Sequence, residues 1–246
     1  MASLGQVQVD RITSIWTGDA VSRRTISRRF SAIRSLARYL VITKRLTCAP
    51  LLSAKLPKLC RHPGRPLSDW EMTTLLDNDL CDVTDWDGLR DLAIFSLQAE
   101  AGLSSAELAG LNREDVDKGA VAIKHSCFTP RIVTLPATSK CAVDQYLRSV
   151  PMPLNPSEAL FINERGVRIS VRTIQARFRD RLTYLGIPTG RGPGTLRRGM
   201  GSRLAELRHS PKDIAAVLGL NALSVVRYFG SYSEIGDIEH TINERC

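Results

Sequence analysis

The segment from Ser22 to Arg45 places the strongest constraint on the fold, because it combines a helical apolar pattern with many arginines and lacks acidic residues. Its apolar side chains recur at the i, i+3, i+4 spacing of one buried helix face: Ile26, Phe30, Ile33, Leu36, Ala37, Leu40 and Val41. Its other faces carry Arg23, Arg24, Arg28, Arg29, Arg34 and Arg38. No Asp or Glu lies between Ala20 and Pro66, whereas a solvated helix usually carries both signs. The pattern predicts a long helix with one core face and a remainder suited to phosphates, where Thr25 adds a hydroxyl donor.

The net charge of +9 is divided into blocks along the chain. Residues 1–66 carry 13 basic and 2 acidic residues, residues 67–164 carry 7 and 16, and residues 165–246 carry 14 and 7. Two basic segments on either side of an acidic one favour a polyanion held between two surfaces, because each neutralised phosphate releases counterions. A basic protein with ordinary solvated faces is the alternative explanation of the charge alone.

The remaining patterns predict a mainly α chain with one small β-hairpin, an α+β fold in two domains. Helices are expected near Val7–Trp16, Ser22–Arg45, Ser68–Leu76, Asp87–Ala101, Ala106–Leu111 and Cys141–Arg148, from Ser170 onward, and near Leu196–Leu207, Pro211–Leu218 and Ala222–Tyr228. Runs rich in Val and Ile over Ala120–Lys124 and Arg131–Leu135 are typical of a hairpin. Proline, glycine and lysine between Leu51 and Pro66 indicate a linker, so the domain boundary is placed there.

The cysteines and the hydropathy argue against several classes of protein. Six cysteines are scattered without a CxxC pair or a histidine at ligand spacing, so no metal site, disulfide framework or cofactor is expected. No apolar run approaches the roughly 20 residues that span a bilayer, and the N-terminus lacks a signal pattern. The chain is therefore expected in the cytoplasm, associated with the nucleoid and without a membrane partner.

Several strings, taken in their order and spacing, resemble the tyrosine recombinase (phage integrase) family, particularly its Xer-like and integron-like members. They begin at residues 22–34, SRRTISRRFSAIR, resume at residues 65–68, RPLS, and continue to about residue 235. The resemblance implies a helical core-binding domain over residues 1–62, shortened relative to the family, and a catalytic-type domain over residues 63–235. Residues 236–246 would then form a tail that serves oligomerisation.

The family's reaction is a transesterification in which a tyrosine attacks a DNA phosphodiester, assisted by arginines, further donors and a general acid. Six positions can be located by the resemblance, and five of them carry another residue: Ser104 for the first arginine, Ser126 for the hairpin lysine, Gly194 and Leu220 for histidines, and Phe229 for the tyrosine. Arg197 is retained. We expect it to contact DNA phosphate, together with the neighbouring Arg198.

Four residues are candidates to replace the missing groups. Lys124 or His125 could supply the general acid if the hairpin turn has changed length. Tyr228 or Tyr232 could supply the nucleophile, although one helical residue turns Tyr228 by about 100° from the position of Phe229. Ordinary packing or surface roles are the competing explanation for both tyrosines.

The sequence therefore predicts a protein that binds double-stranded DNA without cutting it. It would act as a transcriptional or architectural regulator, or as an accessory subunit that assembles on DNA with itself or with an active recombinase. The alternative is a divergent site-specific recombinase that uses Tyr228 or Tyr232. DNA contacts are expected from the first basic helix, from a second one that begins near Ser170, and from the retained arginine: Arg23, Arg24, Thr25, Arg28, Arg29, Arg34, Arg172, Arg177, Arg179, Arg197 and Arg198.

Overall fold

A computed structural model of the chain describes residues 5–47, 49–55, 67–77, 85–124, 130–151, 158–225 and 228. Several of the predicted features lie outside these ranges: most of the linker, the hairpin turn with His125 and Ser126, Phe229, Tyr232 and the tail over residues 236–246. The side chain of Arg24 is also outside the described part. Contacts between Cα atoms divide the chain into two units, Met1–His62 and Pro63–Cys246.

The first unit consists of helix α1 (Gln6–Gly18), helix α2 (Arg23–Ile42) and a 3-10 turn over Pro50–Leu52. The hydroxyl of Ser22 accepts a hydrogen bond from the Thr25 amide at 3.2 Å, which caps the start of α2. A small apolar core joins the three elements: Val9, Ile26, Phe30, Ala37, Ala49, Leu51 and Ala54.

The apolar face predicted for α2 is correct at Ile26, Phe30 and Ala37, which are buried. It is wrong at Leu36, whose exposed fraction is 48%. The elements that pack on α2 cover only the narrow stripe through Phe30 and Ala37, and Leu36 lies about 100° away from Ala37 around the helix. Burial within this unit is therefore narrower than the apolar pattern predicts.

Among the described residues, the second unit contains the other helices and the strands. The helices are α3 (Asp69–Leu76), α4 (Trp86–Glu100), α5 (Ser105–Gly110), α6 (Ala137–Ser149), α7 (Val171–Tyr184), α8 (Gly194–Glu206), α9 (Pro211–Leu218) and α10 (Ala222–Val225). The strands are β1 (Val116–Asp117), β2 (Ala120–Ile123) and β3 (Arg131–Thr134). Helix and hairpin positions agree with the sequence pattern, which confirms the mainly α (α+β) class.

Helix α4 is the centre of the second unit, since it contacts α6, α7 and α8 and is buried from Arg90 to Ala99. A charged side chain within such a helix needs partners. Arg90 has them: its guanidinium donates to Asp91 Oδ1 at 2.7 Å and to the Ile162 carbonyl at 3.1 Å. The buried charge of Arg90 is therefore satisfied by a neighbouring carboxylate and by backbone.

The sheet is antiparallel in the order β1-β2-β3, with Val121 opposite Val133 and Ile123 opposite Arg131. Strand β1 has two residues, too few for a hydrophobic alternation, and the sequence pattern did not indicate it. The register puts Arg131, the first residue of β3, opposite the last residue of β2. Within the described ranges, no helix is both long and apolar enough to cross a membrane.

Candidate nucleic-acid interface

Ser104 is the N-cap of helix α5. Its hydroxyl accepts from the Glu107 amide at 3.2 Å, while Glu107 Oε2 accepts from the Ser104 amide at 2.8 Å. This reciprocal pair is a capping box, and it satisfies two backbone donors at the start of the helix. The serine side chain is thus used locally, and it brings no charge to the position where the resemblance implies an arginine.

Glu107 is the anionic centre of a buried cluster, with a side chain that is 6% exposed. Its Oε1 lies 2.6 Å from Arg131 Nη1, and its Oε2 lies 2.8 Å from Arg197 Nη1. Burial acts to raise the pKa of Glu107, but the hydrogen bonds from Arg131 and the Ser104 amide and the two guanidinium charges lower it to about 2. The carboxylate is therefore ionised at any physiological pH.

Both arginines also bind the carbonyl end of helix α9. Arg131 Nε donates to the Val217 carbonyl at 3.0 Å, and Arg197 Nη2 donates to the Leu218 carbonyl. These carbonyls belong to the last turn of the helix, where cations are favoured. Burial, together with the charge of Arg131, lowers the pKa of Arg197, although Glu107 acts to raise it.

Gly194 and Leu220 lie near this cluster in the chain but offer it no polar side chain. Gly194 is the exposed first residue of α8, three residues before Arg197. Leu220 is half-buried and packs against the small apolar cluster formed by α9 and its neighbours. Next to Arg197, Arg198 donates from Nη2 to Thr195 Oγ1 at 2.9 Å and is partly buried.

Tyr228 lies against helix α8. A Cβ added to Gly201 would be 2.8 Å from Tyr228 Cε1, so the ring packs on the backbone one helical turn after Arg197. A negative charge on the Tyr228 oxygen would raise the pKa of Arg197. The two side chains are therefore close enough to interact electrostatically. The ring also joins the apolar cluster of Ile214, Leu218 and Val225.

Lys124 follows strand β2 and is held by two carboxylates. Its Nζ lies 2.7 Å from Asp115 Oδ1 and 3.2 Å from Glu114 Oε1. The hydrogen bonds to Asp115 and Glu114 raise the pKa of Lys124. A general acid with a raised pKa gives up its proton less readily, which opposes the role considered for this lysine.

The arginines predicted to contact DNA fall into two groups. Among those with described side chains, the exposed ones are Arg23, Arg28, Arg29, Arg172 and Arg179, and Thr25 is exposed beside them. Arg34 and Arg177 are engaged within the protein. Arg34 donates from Nη2 to the carbonyls of Leu51, at 3.3 Å, and Ala54. Arg177 pairs with Asp87 at 2.8 Å and with Asp91.

Glu107 and Arg131 are the residues of the buried cluster that the sequence analysis did not assign to the site. The alternation of β3 contains a signal for Arg131, which is two residues from Val133 and so shares a face with it. Ile132 and Thr134 occupy the exposed face. An arginine on the inward face of a strand needs a buried anion, and Glu107 is that anion.

A protein-family model described as the Phage integrase family matches residues 67–233. Tyrosine recombinase XerC of Methylobacterium nodulans is 29% identical over 217 residues, which cover 86% of this chain and 67% of the relative. Tyrosine recombinase XerC of Syntrophus aciditrophicus is 28% identical over 222 residues, which cover 87% and 71%.

Two solved structures share the fold. The Tn1549 transposon integrase in complex with circular intermediate DNA has a TM-score of 0.75 at 15% identity, and the alignment covers 97% of this chain and 85% of the other. The XerA recombinase has a TM-score of 0.60 at 20% identity, covering 100% and 84%. These similarities confirm the catalytic-type fold that the sequence predicts for the larger unit.

Proposed function

The chain belongs to the phage integrase family, and from this membership we propose that it binds double-stranded DNA without cutting it. In this role it acts as a transcriptional or architectural regulator, or as an accessory subunit that assembles on DNA with further copies of itself or with an active recombinase. DNA binding is supported by the exposed arginines of α2 and α7 and by the excess of basic residues in both end segments.

The capping box at Ser104 is the observation that carries the non-catalytic part of the proposal. A transferring phosphate needs bidentate guanidinium donors, and an active member of the family is expected to have an arginine here. The hydroxyl of Ser104 is bound to the Glu107 amide and carries no charge. Leu220 adds to the deficit, because its side chain cannot donate a proton or a hydrogen bond.

A second function, divergent recombination, is favoured by the position of Tyr228. Its ring lies on α8 and its oxygen is within electrostatic reach of Arg197, as a nucleophile beside a phosphate-binding arginine would be. Against this, Lys124 is paired with Glu114 and Asp115, and a group of cooperating residues loses most of its rate when one member is lost. We therefore rank this function second, together with the version that uses Tyr232.

A trapping experiment separates the two functions. A duplex that the protein binds is first selected from a random pool. A nick is then placed next to each phosphate of this duplex in turn, so that a strand cut by the protein cannot be rejoined. Denaturing gels should show no protein joined to DNA, whereas an active XerC relative on its own site gives an adduct. An adduct that disappears in Tyr228→Phe or Tyr232→Phe would establish the recombinase function instead, and failure to select any duplex would reject DNA binding.

A further inference from the structure

The buried cluster around Glu107 contains more positive than negative charge. The side chains of Arg131 and Arg197 are 9% and 12% exposed, and they share the single carboxylate of Glu107. Arg197 also lies in the first turn of α8, where the helix dipole is positive. A buried excess of charge is costly unless a counter-charge satisfies it.

The carbonyl end of α9 supplies only part of that counter-charge. A helix C-terminus is equivalent to roughly half a negative charge, and both guanidiniums already bind its carbonyls. The excess of positive charge that remains is consistent with the lowered pKa of Arg197. Burial and the charge of the neighbouring Arg131 both make the cationic form of Arg197 less favourable. An added anion would remove this penalty.

One donor in the cluster has no acceptor. Among the described residues, Arg131 Nη2 is buried and makes no hydrogen bond, although Nε and Nη1 of the same guanidinium are both bound. Buried donors are satisfied in almost all native proteins, so a lone one marks a place where a missing acceptor belongs. The N–H groups of Nη2 can donate to an oxygen of a tetrahedral anion.

We propose that Arg131, together with Arg197, forms an oxyanion site that takes a phosphate group, with Arg131 supplying a guanidinium that Ser104 does not. Glu107 holds the two guanidiniums at fixed positions by binding one with each oxygen. From strand β3, Arg131 reaches the same carboxylate that closes the capping box of Ser104. The anion is a backbone phosphate of DNA, which rests on the proposed function. Free inorganic phosphate has the same chemistry.

Gly219 makes room for this arrangement. It ends α9 in the left-handed conformation, with φ of 55°, and a Cβ there would overlap the guanidinium of Arg131. The position thus needs glycine both for its backbone and for the space that Arg131 occupies. The guanidinium is packed against the backbone, which holds it in place before any anion binds.

The first arm of the test uses inorganic phosphate and no DNA. The midpoint of thermal unfolding is measured for the wild-type protein and for Arg131→Met in phosphate and in chloride of equal ionic strength. We expect phosphate to raise the midpoint of the wild type and to leave that of Arg131→Met unchanged. Arg148→Met, which removes an exposed arginine outside the proposed DNA contacts, should keep the wild-type response. A wild type that does not respond to phosphate, or an Arg131→Met variant that responds as fully as the wild type, would overturn the site.

The second arm measures DNA affinity as a function of salt. Loss of one phosphate contact reduces the slope of log K against log salt by about 0.9, and we expect this in Arg131→Met. An unchanged slope with a lost phosphate response would assign the site to free phosphate and reject the DNA contact. If the wild type binds no DNA, the proposed function fails, and the phosphate arm still decides whether the site exists.

A third measurement covers the case in which Arg131→Met does not fold. The 15N signals of the guanidiniums of the wild-type protein are followed during titration with phosphate, and the Arg131 signal is assigned with Arg131→Lys. A saturable shift of the Arg131 signal supports the site. A signal that stays in place while exposed arginines shift weakly and without saturation contradicts it.

Discussion

The ring of Tyr228 packs so closely on Gly201 that a Cβ at that glycine would lie 2.8 Å from Tyr228 Cε1. Gly201→Ala should therefore displace the ring and lower the free energy of unfolding by about 1–3 kcal/mol, the cost of overpacking. Gly199→Ala in the same helix is the matched control, since its Cβ would meet only Met72 Cε at 3.5 Å. The free energy of unfolding of the control should rise by up to about 1 kcal/mol, because alanine has a higher helix propensity than glycine. Urea unfolding of both variants checks the pair, and equal effects would contradict the packing.

The ion pairs of Glu107 predict a loss of stability in acid. Its folded pKa of about 2 is below the ordinary 4.5, so its contribution is complete above about pH 4.5 and disappears as the pH falls towards 2. The contribution amounts to roughly 3 kcal/mol. The difference in unfolding free energy between the wild type and Glu107→Gln should therefore shrink from neutral pH to about pH 3.

Glu114→Gln serves as the control for this titration, because the side chain of Glu114 is 47% exposed. The difference in unfolding free energy between this variant and the wild type should be small at neutral pH and at about pH 3. A Glu107→Gln difference that stays constant with pH would mean that the carboxylate is not held ionised by Arg131 and Arg197.

Arg177 and Arg179 are separated by one residue, yet their substitution should affect different properties. Substitution of Arg177 should lower stability, and substitution of Arg179 should weaken DNA binding. Arg177 pairs with Asp87 and Asp91, and Arg177→Ala leaves the Asp91 carboxylate, which is 12% exposed, with Arg90 alone. We expect a loss of stability on the order of 2 kcal/mol. Arg179→Ala should leave stability nearly unchanged and weaken DNA binding, because Arg179 is exposed. Thermal unfolding and fluorescence anisotropy distinguish these outcomes, and a stability loss in Arg179→Ala would argue against them.

The exposed arginines of α2 should contribute electrostatic affinity. Replacement of Arg23 and Arg28 by Ala removes two exposed cations, and the slope of log K against log salt should fall by about 1.8. Lys118→Ala with Arg148→Ala removes the same charge from exposed positions in the acidic middle segment and is the control. If both double variants lower the slope equally, the effect comes from net charge and α2 has no specific role.

The helices and the hairpin could be predicted from the sequence because apolar periodicity and local capping signals determine them. Ser68 and Ser104 illustrate this, since each begins a helix with a glutamate three residues later. The burial of Leu36 was predicted wrongly, because periodicity does not tell how wide a face the neighbouring elements cover. Strand β1 was too short to give a pattern.

The site could be predicted only in part. The resemblance locates Ser104, Arg197 and Leu220. It does not reveal which arginines form hydrogen bonds within the protein and which are exposed to solvent. Arg34 and Arg131 both bind backbone carbonyls that are distant in sequence, at Ala54 and Val217. Such partners follow from tertiary packing. The alternation of β3 indicates that Arg131 faces inward, but it does not indicate which groups Arg131 binds.

The Glu107 cluster draws its members from distant parts of the chain, since Arg131 lies 24 residues and Arg197 lies 90 residues after Glu107. Their positions depend on α9, which ends at Leu218. Consider a polypeptide that is still being synthesised, or one that is truncated between Arg131 and Arg197. In it, Glu107 would pair with one arginine, and the carbonyls at the end of α9 would be missing. Correct assembly of the larger unit is therefore a precondition for the cluster, and a truncated product would lack it even if its separate helices formed.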